Sequence, residues 1–151
     1  MGSVITNSAQ ETIEFGKKLA SNFKGGEVIC LYGNLGAGKT TLIKGIALGL
    51  GVKKVVTSPT FILMNIYNLE PRTYNLKCFV HIDCYRIKKA EDMENIGATE
   101  YFNDPNSVVM IEWPERILEI LPKKRTDIHI TIKGKNEREF GVNDIWNAKM
   151  T

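Results

Sequence analysis

The chain has 151 residues, of which 43% are hydrophobic and 25% charged, enough for one domain with its own core and hardly for two. A net charge of +3 gives no argument for nucleic-acid binding, and the basic residues 123–125, 53–54 and 88–89 read as solvated surface, so no DNA partner is expected. No apolar run reaches membrane-spanning length, no secretion signal opens the chain, and cysteines 30, 78 and 84 lack zinc-type or CxxC spacing; a cytoplasmic, reducing setting without a membrane is expected.

In chain order, Gly2 with Thr6 fits the loose myristoylation pattern, though small residues commonly follow an initiator methionine. "SAQE" at 8–11 is a capping box, and Ile13, Leu19, Ala20 and Phe23 follow at roughly helical spacing, predicting a helix that ends near 24–26. "EVICLY" (27–32) is a short continuous apolar run, as in a strand covered on both faces. After a glycine-rich loop, Leu42, Ile43, Ile46, Ala47 and Leu50 mark one helix face that Gly51 closes.

Residues 60–69 and 77–85 read as a hairpin around the polar turn "EPRTYN". "AEDMENIGATEYF" (90–102) is acidic and helical, in two pieces around Gly97, and "SVVMIEW" (107–113) is another buried strand. Pro114 is placed to open a short helix and Pro122 to end it. "DIHITIKG" and "EREFGVN" alternate as a final hairpin, and residues 143–151, with Trp146, are expected to form a loosely attached tail. With Gly33, Gly38, Lys39 and Thr40 set between the first apolar strand and the helix after it, the sum predicts an α/β, P-loop NTPase-like single domain over 1–151, a mixed central sheet of about six or seven strands flanked by helices.

"GNLGAGKTT" (33–41) satisfies the pattern G-x-x-x-x-G-K-[ST]. Backbone N–H groups must converge on the phosphates, and residues without a Cβ permit both the curl and the close approach of ligand oxygens. The backbone of Asn34, Leu35, Gly36, Ala37 and Gly38 would form the cradle, with the positive end of the following helix dipole behind it. Lys39 would bridge β- and γ-phosphate oxygens, the Thr40 hydroxyl would ligate Mg2+, and Thr41 could reach the α-phosphate.

A second magnesium anchor in such proteins is usually an acid ending a neighbouring apolar strand. Asp83 in "FVHID" and Glu112 in "VVMIE" both qualify. One would hold the metal shell and the other orient or polarise the attacking water; spacing does not say which. Trp113 serves equally well as a packing residue or as a contact.

"GNLGAGKTT", "SPTFILMNIY", "HIDCYR" and "IEWPER" occur in the order and approximate spacing of the TsaE (YjeE) family, which the chain resembles from about Gly26 to Arg116. That family comprises bacterial P-loop ATPases of tRNA threonylcarbamoyladenosine (t6A) biosynthesis. The resemblance implies ATP binding, ADP as product, and work with the partners TsaB and TsaD, with tRNA engaged only through that complex. Hydrolysis would reset the partner complex between turnovers instead of performing the transfer. It also implies a switch role for Thr60 near the γ-phosphate, a Walker B-like role for Asp83, and a catalytic acid at Glu112. His81, Tyr85 and Arg86 would lie near the nucleotide or partner. Asn34 departs from the acid many relatives carry.

Two other classes stay in view: a small-molecule P-loop kinase, and a nucleotide-sensing interaction module with incidental ATPase activity. A kinase usually needs an arginine-bearing lid, and the chain has arginines only at 72, 86, 116, 125 and 138. The guanine-specific motif N-K-x-D is absent, yet no motif marks an adenine pocket either.

Overall fold

The structure is a computed structural model that describes residues 2–34, 36–53, 56, 63–70 and 76–143. Its centre is a seven-stranded sheet in the order β1-β7-β6-β2-β5-β4-β3. The strands are β1 (Gly2–Thr6), β2 (Val28–Tyr32), β3 (Met64–Asn68), β4 (Cys78–Asp83), β5 (Ser107–Glu112), β6 (Thr126–Ile132) and β7 (Arg138–Asn143). The middle strands β6, β2, β5 and β4 run parallel. β7, β1 and β3 add antiparallel edges. All six residues of β5 are buried, the condition that makes a parallel strand an unbroken apolar run.

Side-chain alternation sorts the sheet into two cores. On one face Ile29, Leu31, Phe79, Met110 and Phe140 meet α1 (Ala9–Ala20) and α2 (Lys39–Gly49). On the other, Cys30, Val80, Ile82 and Ile111 meet Met93 of α3 (Ala90–Asn95), Phe102 of α4 (Thr99–Phe102), and Ile117 of a 3-10 helix, Pro114–Ile120.

Ser8 caps α1 by accepting from the Glu11 N–H at 3.0 Å, and the Glu11 carboxylate reaches back to the Asn7 N–H at 3.3 Å, one residue before the usual capping-box partner. α1 stops at Ala20, short of the glycine pair, because the chain after Ser21 turns Phe23 into the core. The two-piece helix around Gly97 holds, with that glycine at φ 82°. The segment opened by Pro114 is a 3-10 helix with a break at Ile117, φ −134°.

The seventh strand, β1, carried no sequence signal. Its first four residues are exposed, so it lacks the alternation of a half-buried strand, and only pairing with β7 defines it. β7 runs through Asn143, taking the first residue of the expected tail; residues 144–151, including Trp146, lie outside the described residues, as do 71–75 of the turn expected over 70–75.

Candidate functional site

Because β2, β5 and β4 are parallel neighbours, their carboxyl ends emerge on one edge of the sheet, where open α/β sheets place their ligands. β2 leads into the glycine loop, β5 ends at Glu112 and β4 at Asp83. Register sets Asp83 opposite Glu112, and Glu112 opposite Leu31. A cleft of about 420 Å³ opens there, with Gly36, Gly38, Lys39, Thr40 and Thr41 on one side and Asp83, Tyr85, Arg86, Glu112 and Trp113 on the other.

The loop's curl depends on its glycines. Gly36 and Gly38 stand at φ 79° and 107°, which side-chain-bearing residues adopt only with strain. The Ala37 N–H donates to the Asn34 carbonyl at 3.0 Å, closing a tight turn. The Ala37 methyl is buried in the core beneath the loop, whereas Asn34 is exposed. α2 then begins at Lys39 with no side-chain cap, leaving the N–H groups of its first turn available to an anion. Leu35 and Thr60 lie outside the described residues.

Arg138, which no motif singled out, grips this loop from the first residue of β7. Its Nε donates to the Ala37 carbonyl at 3.1 Å across 101 residues of sequence, and its Nη2 to the Gly36 carbonyl at 3.5 Å. Nη1 donates to carbonyls of the β6–β7 turn, Gly134 at 3.0 Å among them. Drawing loop carbonyls outward leaves the opposite side of those peptides for N–H groups. No local signal marks this arginine, since its partners come only from strand order. Beside it a recess of about 160 Å³ is bordered by Ser8, Thr12, Thr41 and Asn136.

Lys39 is buried, with 6% exposure. Its Nζ donates to the Gly33 carbonyl at 2.7 Å and lies 3.8 Å from the centre of the Trp113 ring, within cation–π range. Trp113 reaches that position through a left-handed backbone, φ 56°, immediately before Pro114, a conformation that costs about 1–2 kcal/mol outside glycine. Tyr85 packs against the same indole in a tilted arrangement, 5.1 Å between ring centres. Burial pushes the Lys39 amine below its ordinary range, and Glu112, Glu115 and Asp83 oppose that shift.

Glu112 and Asp83 are buried to 5% and 8% exposure. Glu112 shares a 2.8 Å hydrogen bond with His81 Nε2. Asp83 accepts from the Tyr85 N–H at 2.9 Å. Among the described residues no group of three or more His, Cys, Asp and Glu is arranged to hold a metal unaided. Two carboxylates and the Thr40 hydroxyl are a donor set suited to Mg2+, which takes its other ligands from phosphate and water.

The family model "Threonylcarbamoyl adenosine biosynthesis protein TsaE" matches residues 6–140. A tRNA threonylcarbamoyladenosine biosynthesis protein TsaE from Treponema pallidum is 37% identical over 91% of this chain and 97% of its own. One from Bacillus subtilis is 38% identical over 94% and 85%. The crystal structure of YdiB from Bacillus subtilis superposes with a TM-score of 0.77 at 34% identity, covering 97% of this chain and 87% of that one. The fold is thereby that of a P-loop NTPase-like domain. Agreement of this extent, over nearly the whole of both chains, makes the protein a member of the TsaE family.

Proposed function

We propose that the chain is a magnesium-dependent ATPase of tRNA t6A biosynthesis, slow alone and accelerated by a partner complex of TsaB and TsaD, with tRNA engaged through that complex. The observation that carries this reading is the facing of the 36–41 loop and the Asp83–Glu112 pair across one cleft. The relatives' name supplies the pathway, and the geometry supports nucleotide chemistry within it.

In this reading the triphosphate lies on the loop N–H groups and the start of α2, and Lys39 exchanges the Gly33 carbonyl for phosphate oxygens. Thr40 and one of the two acids hold Mg2+, which when bound would neutralise charge on the β- and γ-phosphates. The other acid takes the proton of the attacking water. Asp83 is already tied to a backbone N–H, while Glu112 sits against His81; this favours Glu112 as the acid acting on water. ADP is the product. The recess beside Thr12 and Asn136 offers space for the base, and it does not by itself select adenine. Release of hydrolysis energy into the partner contact would reset the complex between turnovers, in the cytoplasm.

A kinase reading finds less support. Among the described arginines, Arg86 lines the cleft, and Arg116, Arg125 and Arg138 are engaged with Ile87, Asp127 and the loop carbonyls. A nucleotide sensor remains the alternative in which binding alone does the work. The deciding experiment measures ATP hydrolysis with and without purified TsaB and TsaD, alongside tRNA modification. Partner-stimulated turnover supports the ATPase; full modification with a non-hydrolysable analogue would establish the sensor instead.

A further inference from the structure

We infer that His81 is a positioning residue that holds the Glu112 carboxylate in its working orientation through a single hydrogen bond. The inference rests on the reading of Glu112 as an acid of nucleotide hydrolysis and adds to it the group that makes that acid usable.

His81 sits in the middle of β4, paired in register with Asn65 on β3 and Met110 on β5. It is two residues before Asp83 and therefore on the same face of the sheet. Its ring is 1% exposed, and Nε2 lies 2.8 Å from Glu112 Oε2. The other ring nitrogen, Nδ1, is buried and has no hydrogen-bond partner among the described residues. An ionised carboxylate only accepts. With the carboxylate accepting, Nε2 is the donor of this bond, and the tautomer protonated there leaves a lone pair on Nδ1 instead of a buried, unanswered N–H.

This arrangement has a direct mechanical result. The terminal torsion of a glutamate is broad and nearly two-fold, so an untethered Glu112 would present either oxygen, or neither, to the cleft. A ring locked between two neighbouring strands engages Oε2 and fixes the carboxylate plane, leaving Oε1 as the oxygen available for water or metal. An imidazole with an unpartnered buried nitrogen is a poor choice for packing alone, since a leucine or phenylalanine would fill such a place without the cost of desolvation. Groups behind a metal or catalytic ligand commonly act in this way, by fixing its orientation.

The test uses the full chain with TsaB and TsaD, and the variants His81→Gln, His81→Asn and His81→Leu, each alone and with Glu112→Gln. A glutamine amide reaches about as far as Nε2, whereas an asparagine amide ends near Nδ1 and falls short. Leu and Asn should lower kcat about 10–100-fold while calorimetric MgATP affinity stays unchanged, and Gln should recover most of the loss. In the Glu112→Gln background, read by single-turnover hydrolysis, His81→Leu should add no further loss. The inference is overturned if Leu keeps wild-type kcat, if Gln fails as badly as Leu, or if the loss recurs undiminished beside Glu112→Gln. Should the leucine variant not fold, the Asn and Gln pair decides. Absence of any hydrolysis by the wild-type chain with its partners removes the ATPase reading itself, a result distinct from wild-type turnover matched by His81→Leu.

Discussion

Lys39 and Trp113 form a cation–π pair in the lining of the cleft, with the amine 3.8 Å from the centre of the indole ring and 2.7 Å from the Gly33 carbonyl. A triphosphate on the loop competes for that amine, so nucleotide binding should alter the indole's surroundings. In a Trp146→Phe chain, which leaves Trp113 as sole tryptophan, emission should change saturably with MgATP. A flat titration under conditions where calorimetry registers binding would show that Lys39 keeps its contact with the ring.

The same lysine makes affinity depend on pH. In the proposed complex phosphate is held by the charged amine, and burial lowers that amine's pKa from 10.5. Affinity should be level at neutral pH and fall as pH rises through the lowered value, before the range of an ordinary lysine. Lys39→Ala should bind MgATP more weakly by about 1.5–3 kcal/mol, roughly 10–150-fold, and lose this alkaline fall. Calorimetry from neutral to alkaline pH checks both.

Glu112→Gln retains the shape of the side chain and an oxygen that can accept from His81. Hydrolysis should drop by about 100-fold or more, with MgATP affinity close to wild type. Turnover at the wild-type rate would remove Glu112 from the chemistry.

Helix α2 follows the glycine loop, and glycines set how near it lies to α1. A Cβ on Gly45 would stand 2.4 Å from the Ile13 carbonyl oxygen, and one on Gly16 would stand 2.7 Å from that of Leu42. Both obstacles are backbone, so the helices must separate. Gly45→Ala should cost about 1–3 kcal/mol and lower Tm by roughly 3–10 °C in calorimetric or circular-dichroism melts.

Burial raises the thiol of Cys84 to about 12 and that of Cys30 further. Thiolate is then scarce at both. Iodoacetamide at pH 8 should label the native chain at Cys78, which is half-buried with its Sγ 2.9 Å from Ser107 Oγ, and reach all three cysteines only in denaturant. Mass spectrometry of the labelled peptides reads the outcome.

Residues 33–41 carry the phosphate-loop pattern locally, because a cradle of N–H groups needs glycines and a following helix in one continuous stretch. Asp83 and Glu112 were legible for a related reason: a strand buried on both faces is an apolar run, and the acid that ends it marks where the sheet reaches solvent. Which long-range contacts those residues make was not written in any local pattern. Arg138 lies 101 residues from the loop carbonyl it holds, and His81 lies 31 residues from Glu112. β1 went unread because an exposed edge strand has no burial pattern to display.

The sequence by itself determined that a glycine cradle, a lysine, two threonines and two strand-end acids exist in one α/β chain, since each is specified by neighbours in sequence. Only the tertiary structure decided that β5 lies between β2 and β4, bringing Glu112 against His81, Lys39 over Trp113 and Arg138 onto the loop. Those pairings depend on strand order and register, which are settled by how two hydrophobic faces bury together, and no short stretch of residues encodes that outcome.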